Sequence, residues 1–386
     1  MNRHFLRDIA DIQTGPFGSQ LHKEDYVDIG TPIVTVEHLG NRVFTEQNLP
    51  KVSDEDKARL SKYVLKEGDI VFSRVGSVDR CSYVDAAHDG WMFSGRCLRV
   101  RPNTEVDPLY LYYFFCLEDT KQFVRNIAVG ATMPSINTKL LGEVEVAYPS
   151  QTEQQKIVAL LSALDDKIEI NQKINDNLQK QAAALFANFY DQAETEVGFT
   201  EMIQILGGGT PKTGESSYWN GDIPFFTPKD VGFPYTLTTE KTITEEGLAH
   251  CNSRLYPINT VFVTARGTVG KVGLPGVPMA MNQSCYALVG KDTHQLLVYF
   301  YTLKAVDRLK HKASGAVFDA ITTRDFEAEN IMKLSDDDTK AFLDVAEPIY
   351  QAVLNNSIEN LRLSELRDSL LPKLMNGEID VSGIQL

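Results

Sequence analysis

Residues 157–189 read IVALLSALDDKIEINQKINDNLQKQAAALFANF. Taken in alternating steps of four and three, they give Ile157, Leu161, Leu164, Ile168, Asn171, Asn175, Leu178, Ala182, Leu185 and Phe189. Two asparagines aside, that line is apolar over more than four heptads, the signature of a long helix that needs a coiled-coil partner. A matching line recurs 185 positions later as Phe342, Ala346, Ile349, Val353, Asn356, Asn360, Leu363, Arg367, Leu370 and Leu374. The asparagine pair falls midway along both lines. If the two helices pair, Asn171 and Asn175 meet Asn356 and Asn360 in either orientation, whereas a shifted register buries amides against Leu and Ile. Each amide left unpaired costs about 1–3 kcal/mol, so the polar layer specifies register. Ser150 followed by Glu153 reads as a capping box opening the first helix, and Ser335 with Asp338 repeats it at the same offset.

The rest of the chain also reads as two copies of one plan. Short strand-like runs at 32–36, 69–73, 96–100 and 143–147, interrupted by an aromatic helix-like stretch at 107–123, fill the part before the first helix. Strand-and-turn texture resumes near Phe199 and runs to about Leu334. GTPIVT at 30–35 parallels DIPFFT at 222–227, and KEGDIVFSRVGSVDR (66–80) parallels PINTVFVTARGTVGK (257–271). Gly130, Ala131 and Ile136 correspond to Gly315, Ala316 and Ile321. Offsets that drift from 192 to 185 point to small loop insertions inside similar domains. The resulting division is 1–149, a first strand-rich domain; 150–190, the first helix; 191–334, a second strand-rich domain; and 335–386, the second helix and a tail.

With 386 residues, 43% hydrophobic and 23% charged, the chain has the composition of a globular protein of two or three domains. Its longest apolar run, Leu109 to Leu117, is too short to span a bilayer. The opening MNRHFLRDIAD has no apolar signal-peptide core, and five cysteines show no CxxC spacing. The simplest location is the cytoplasm. A net charge of −14 disfavours a chain that grips phosphates all over its surface. Residues 335–386 alone hold 4 Lys/Arg against 10 Asp/Glu, however, leaving the two large domains nearer neutrality and able to carry basic faces.

The order globular domain, long helix, globular domain, long helix resembles the specificity subunit of a type I restriction-modification system. The local carriers are IPFFTPKDV (223–231), VFVTARGTVGKVGL (261–274), NQSCYAL (282–288) and above all SQTEQQKIVALLSALDDKIEINQKIN (150–175). The resemblance implies an α+β fold: two similar target-recognition domains separated by two long helices that form an antiparallel coiled coil, with a pseudo-two-fold repeat. It implies binding of double-stranded DNA at a bipartite target and docking of methyltransferase subunits, two in number, on the coil. Restriction subunits are possible further partners. S-adenosylmethionine, ATP and Mg²⁺ belong to those partners, and this chain itself is expected to need no cofactor, to bind no metal and to be non-catalytic. At ~1.5 Å per residue a helix of about 40 residues spans roughly 60 Å, more than one ~34–36 Å turn of DNA, so the coil is expected to act as a ruler between half-sites. The second helix departs from the family pattern, opening SDDDTKAF rather than glutamine-rich and carrying Arg367 on its apolar line.

Loops that combine Gly with Arg or Lys after strand-like runs suit backbone approach and base-edge contact. The DNA-contact candidates are therefore Lys23, Arg74, Arg80 and Arg96 in the first domain, and Lys212, Tyr218, Trp219, Lys229, Arg266 and Lys271 in the second. For each cation the alternative is a solvated surface charge; for Tyr218 and Trp219 it is partial core. The cluster Lys304, Arg308, Lys310, His311 and Lys312 lies on a helix-like segment and could meet phosphates; the favoured reading is a solvated helix face. Two rival functions remain. A stand-alone adenine methyltransferase needs a motif like Asn-Pro-Pro-Tyr, and the nearest stretch, Asp107-Pro108-Leu109-Tyr110, reads instead as a helix start. Gly207-Gly208-Gly209 lacks the P-loop spacing and reads as a flexible entry loop, as Gly15 to Gly18 does in the first domain. An interaction scaffold that never touches DNA suits the acidic balance.

Overall fold

The computed structural model describes all residues except Ser19, Phe233, 313–319 and 384–386; the side chain of Lys23 is also outside it. The chain forms two compact units, Met1–Asp165 with Glu365–Leu386, and Asp166–Ser364.

In the first unit an antiparallel sheet runs in the order Ala10–Thr14, Cys97–Pro102, Ile70–Ser73, Cys81–Tyr83. Ile70–Ser73 is buried at every position, as a central strand covered on both faces must be. A second sheet is ordered Tyr26–Val27, Lys51–Val52, Thr31–Val34, Met92–Phe93, and its last pair is parallel. Asn2–Phe5 pairs with Glu145–Tyr148. The aromatic stretch is two helices, Pro108–Cys116 and Glu118–Ile127, because Leu117 leaves helical geometry. Asp107 caps the first of them by accepting from the amides of Leu109 and Tyr110, with Pro108 in the first turn. Tyr110 to Phe115 are all buried, and Phe72 meets Phe115 edge-on at 4.7 Å.

The second unit repeats this order: Ile203–Gly207, Cys285–Gly290, Val261–Thr264, Val272–Pro275, with Tyr235–Thr236 added in parallel at the edge. Thr242–Ile243, Trp219–Phe226 and Ala280–Met281 form its second sheet, again with a parallel last pair. Thr195–Gly198 pairs with Asn330–Lys333. One continuous helix, Gln295–Lys312, takes the place of the broken pair. Gly76 (φ +75°) and Gly267 (φ +83°) turn the equivalent hairpins in the left-handed region, where a side chain would be strained. Ile136 and Ile321 donate backbone N–H bonds to Arg74 and Ala265 at 2.9 Å in both copies, while Gly315 and Ala316 lie outside the described residues.

Two long helices, Gln151–Gln192 and Asp336–Met375, thread these units. Ser150 and Glu153 exchange the two bonds of a capping box, and Asp338 N–H donates to Ser335 Oγ at 3.1 Å. The helices pair antiparallel within each unit. In the first, Arg367 Nη1 donates to Asp165 Oδ1 at 2.6 Å, and Ile157, Leu161, Leu371 and Leu374 share one core. In the second, Asn171 Nδ2 donates to Asn360 Oδ1 (2.9 Å) and Asn356 Nδ2 to Asn175 Oδ1 (2.8 Å). Phe186 and Phe342 meet in its core.

The buried line does not follow the heptad throughout. Asp165, Gln179, Phe186 and Tyr190 are buried where Leu164, Leu178, Leu185 and Phe189 are half-buried. On the partner helix Phe342, Ala346, Val353 and Leu374 are buried, whereas Ile349, Asn356, Asn360, Leu363, Arg367 and Leu370 are half-buried. Ile168 is half-buried as well. Away from the asparagines each helix also packs against a globular core, so burial follows the 3.6-residue turn of an ordinary helix rather than a strict 3.5 seam.

Candidate nucleic-acid interface

Each unit carries a groove made by equivalent segments. In the first, the turn after Thr31–Val34 is tied by Thr35, whose amide donates to His38 Nδ1 at 3.1 Å. Since Nδ1 accepts, the proton sits on Nε2, which donates to the Gln47 carbonyl at 3.1 Å. The facing wall is the turn 94–97, closed by Cys97 N–H to Ser94 O (2.9 Å) and anchored by Ser94 N–H to Val34 O (2.8 Å). Glycine allows a third segment to press against it: a Cβ on Gly15 would lie 2.2 Å from Ser94 O, and one on Gly95 2.3 Å from Pro16 O. The space enclosed is about 890 Å³, and Phe17, Tyr26, Glu37 and Arg96 line it.

The second groove, about 480 Å³, lies between the equivalent segments. The Thr227 amide and hydroxyl both donate to Asp230 Oδ2 (2.8 and 2.6 Å), and Asn282 N–H donates to Phe226 O (3.0 Å). Asn282 Oδ1 accepts from the Ser284 amide at 3.0 Å. Here Gly208 lies so near the Asn282 carbonyl that a Cβ would stand 2.1 Å from it. The expectation of flexible glycine entry loops is corrected on this point: Gly15, Gly208 and Gly209 sit in close packing that no side chain fits. Lys229, Lys241 and Arg266 line this groove against one carboxylate, Glu240.

The candidate cations divide into free and engaged. Arg74 is engaged: its guanidinium donates to Gly95 O at 3.0 Å and lies 5.6 Å from the Phe17 ring centre, bracing the loop. Arg80, Arg96, Lys212, Arg266 and Lys271 are exposed. Lys229 is exposed too, with Glu240 3.9 Å away. Lys212 offers its carbonyl to the Trp219 indole at 3.2 Å. Tyr218 stacks on His250 at 5.0 Å, and Trp219 packs edge-on against Phe225 at 5.5 Å, which makes both partial core. Lys23 lies outside the described side chains. Arg308 is spent on Asn330 O and the Tyr190 hydroxyl, and Lys312 on Glu329. Among residues not singled out from sequence, Phe17, Glu37 and Lys241 line the grooves. The alignment of TPIVT with IPFFT was the signal that could have found the turn carrying Glu37.

Burial pushes the Cys97 and Cys285 thiols up to about 12, so neither supplies a thiolate at neutral pH. Among the described residues no group of His, Cys, Asp and Glu is arranged to hold a metal ion, and no helix is long and apolar enough to cross a membrane.

Comparison with known proteins agrees with this plan. The type I restriction modification DNA specificity domain matches residues 2–180 and 195–333. The chain is 25% identical to the type I restriction enzyme HindI specificity subunit of Haemophilus influenzae, over 84% of this chain and 89% of that one. It is 23% identical to the MjaIX specificity subunit of Methanocaldococcus jannaschii, over 97% and 93%. The crystal structure of a type I restriction-modification S subunit from M. genitalium superposes with a TM-score of 0.60 at 15% identity, covering 97% of this chain and 95% of that one, a likeness of fold.

Proposed function

The chain belongs to the type I restriction-modification DNA specificity family, and from that premise we propose that it recognises a bipartite DNA target, one half through each unit. The observation that carries this reading is the pair of equivalent grooves, built by the same turns and lined by different side chains. Equivalent frames give each half-site the same approach; different linings give it different bases.

The chain acts without catalysis of its own. Methyltransferase subunits, two in number, dock on the paired helices and bring S-adenosylmethionine; restriction subunits, where they join, bring ATP and Mg²⁺. Of the candidate contacts, the exposed side chains of Arg80, Arg96, Lys212, Lys229, Arg266 and Lys271 are assigned to DNA, whereas Arg74, Tyr218 and Trp219 act from beneath by holding loops. The acidic balance favours a complex in which partner subunits supply much of the phosphate contact.

The test is methylome sequencing of a host that expresses this chain with a cognate methyltransferase. One split methylated motif is expected, and exchanging residues 199–334 for those of a relative should change one half of it only. A chain that assembles with the methyltransferase yet directs no split motif would favour the scaffold reading, which the charge of −14 suits.

A further inference from the structure

The two grooves share a frame but not a charge. Lys229, Lys241 and Arg266 outnumber Glu240 in the second, a balance that suits phosphate. Among the described residues lining the first, the formal charges are Arg96 and Glu37, one of each sign. Such a groove is a poor cradle for phosphate, because Glu37 repels the anion that Arg96 attracts. It suits a neutral surface that offers acceptors to one wall and donors to the other.

Arg96 is also held as a reading side chain should be. Its carbonyl accepts from the Arg74 amide at 2.8 Å, and the next residue, Cys97, is fully buried. Gly95 is clamped between Pro16 and the Arg74 guanidinium. The backbone on both sides is therefore fixed, whereas the Arg96 guanidinium is exposed and has no partner among the described residues. Arg80 is exposed as well but does not line the groove. In the second unit the equivalent position is Ser284, and the arginine of that groove, Arg266, stands on another segment.

We propose that Arg96 reads a guanine in the half-site bound by the first unit, with its guanidinium donating in parallel to guanine O6 and N7. The fork of the guanidinium matches those two acceptors in the major groove. Glu37, on the facing wall, is placed to accept from the paired cytosine amino group. The inference rests on the DNA-recognition reading above and adds the base class that one unit selects.

The experiment uses the complex of this chain with its methyltransferase subunits, comparing the wild type with Arg96→Ala and Arg96→Lys. The methylated motif is read by sequencing, and binding is measured by competition among duplexes substituted at each motif position, over a range of salt. The wild type should require guanine at one position of one half-site. Arg96→Ala should lower discrimination at that position by about ten- to a hundred-fold and leave every other position unchanged. Arg96→Lys, a point charge without the fork, should keep only part of the preference. Three results would overturn the proposal: unchanged discrimination in Arg96→Ala, a uniform loss across sequences with the salt slope falling by about 1, as for a phosphate contact, or a wild-type motif whose first half lacks guanine. Should Arg96→Ala fail to assemble, Arg96→Lys decides alone, and discrimination equal to wild type overturns the proposal. A wild-type complex with no sequence preference would instead sink the DNA-recognition reading itself.

Discussion

Tyr113, Asp165 and Arg367 of the first unit occupy the positions held in the second by Phe300, Tyr350 and Ala182. In the first, the Tyr113 hydroxyl and the Arg367 guanidinium both donate to Asp165, each at 2.6 Å, and Asp165 is 6% exposed. In the second, Phe300 packs on Tyr350 at 5.6 Å, on Phe186 at 5.0 Å and on Phe342 at 5.1 Å. One frame thus accepts either a buried polar triad or an aromatic cluster where a long helix crosses a recognition domain. A buried ion pair contributes little net stability, since desolvation offsets its attraction, but removing one partner strands the other. An aromatic cluster contributes through area and shape. The family likeness is therefore carried by the frame and not by the chemistry at its centre.

The sharpest break in the comparison is Phe300→Ala. It should cost the second unit about 3–5 kcal/mol through transfer and cavity terms, read as lost hydrogen-exchange protection in Val261–Thr264 with Ile70–Ser73 unaffected. Asp165→Ala should cost the first unit about 3 kcal/mol, near the lower end for a broken buried pair, with the reverse pattern of exchange; equal loss in both units would contradict the independence of the two cores. Asn175→Ala leaves the Asn356 amide without its 2.8 Å acceptor and should cost about 1–3 kcal/mol, checked by the denaturant midpoint. Replacing the whole triad, Tyr113→Phe with Asp165→Leu and Arg367→Met, should stay within about 1 kcal/mol of the parent. A loss as large as that of Asp165→Ala would show that the triad is a net stabiliser.

The smallest expected effect is one of pH. The Asn171 amide, donating at 2.7 Å, and Lys167, at 3.3 Å, hold the Glu359 carboxyl below its usual range. A group depressed in the folded state contributes stability above its unfolded value, about 4.3, and loses that contribution as pH falls through the folded value. Asn171→Leu should therefore flatten the acid limb of the stability curve slightly. An unchanged limb would mean that the contact contributes nothing in solution.

The repeat, the two long helices and the asparagine layer were legible in the sequence because each is a pattern of period or offset, which needs no knowledge of neighbours. Candidate cations were legible as types but not as free or engaged. Arg74 and Arg96 look alike in sequence, yet one braces a carbonyl and the other is unpartnered. Arg367 read as a flaw in an apolar line, and only Asp165 and Tyr113, distant in sequence, explain it. The aromatic stretch read as one helix breaks at Leu117, where nothing in composition marks the end.

By itself, then, the sequence determined the order of elements, the duplication and the register of the helices, since hydrophobic period and turn chemistry are local properties of a chain. Tertiary structure alone decided which charges are spent internally, which glycines are pressed against a carbonyl, and what lines each groove. Those outcomes depend on distances between segments far apart in the chain, and burial or pairing at such distances sets whether a polar group is a brace or a contact.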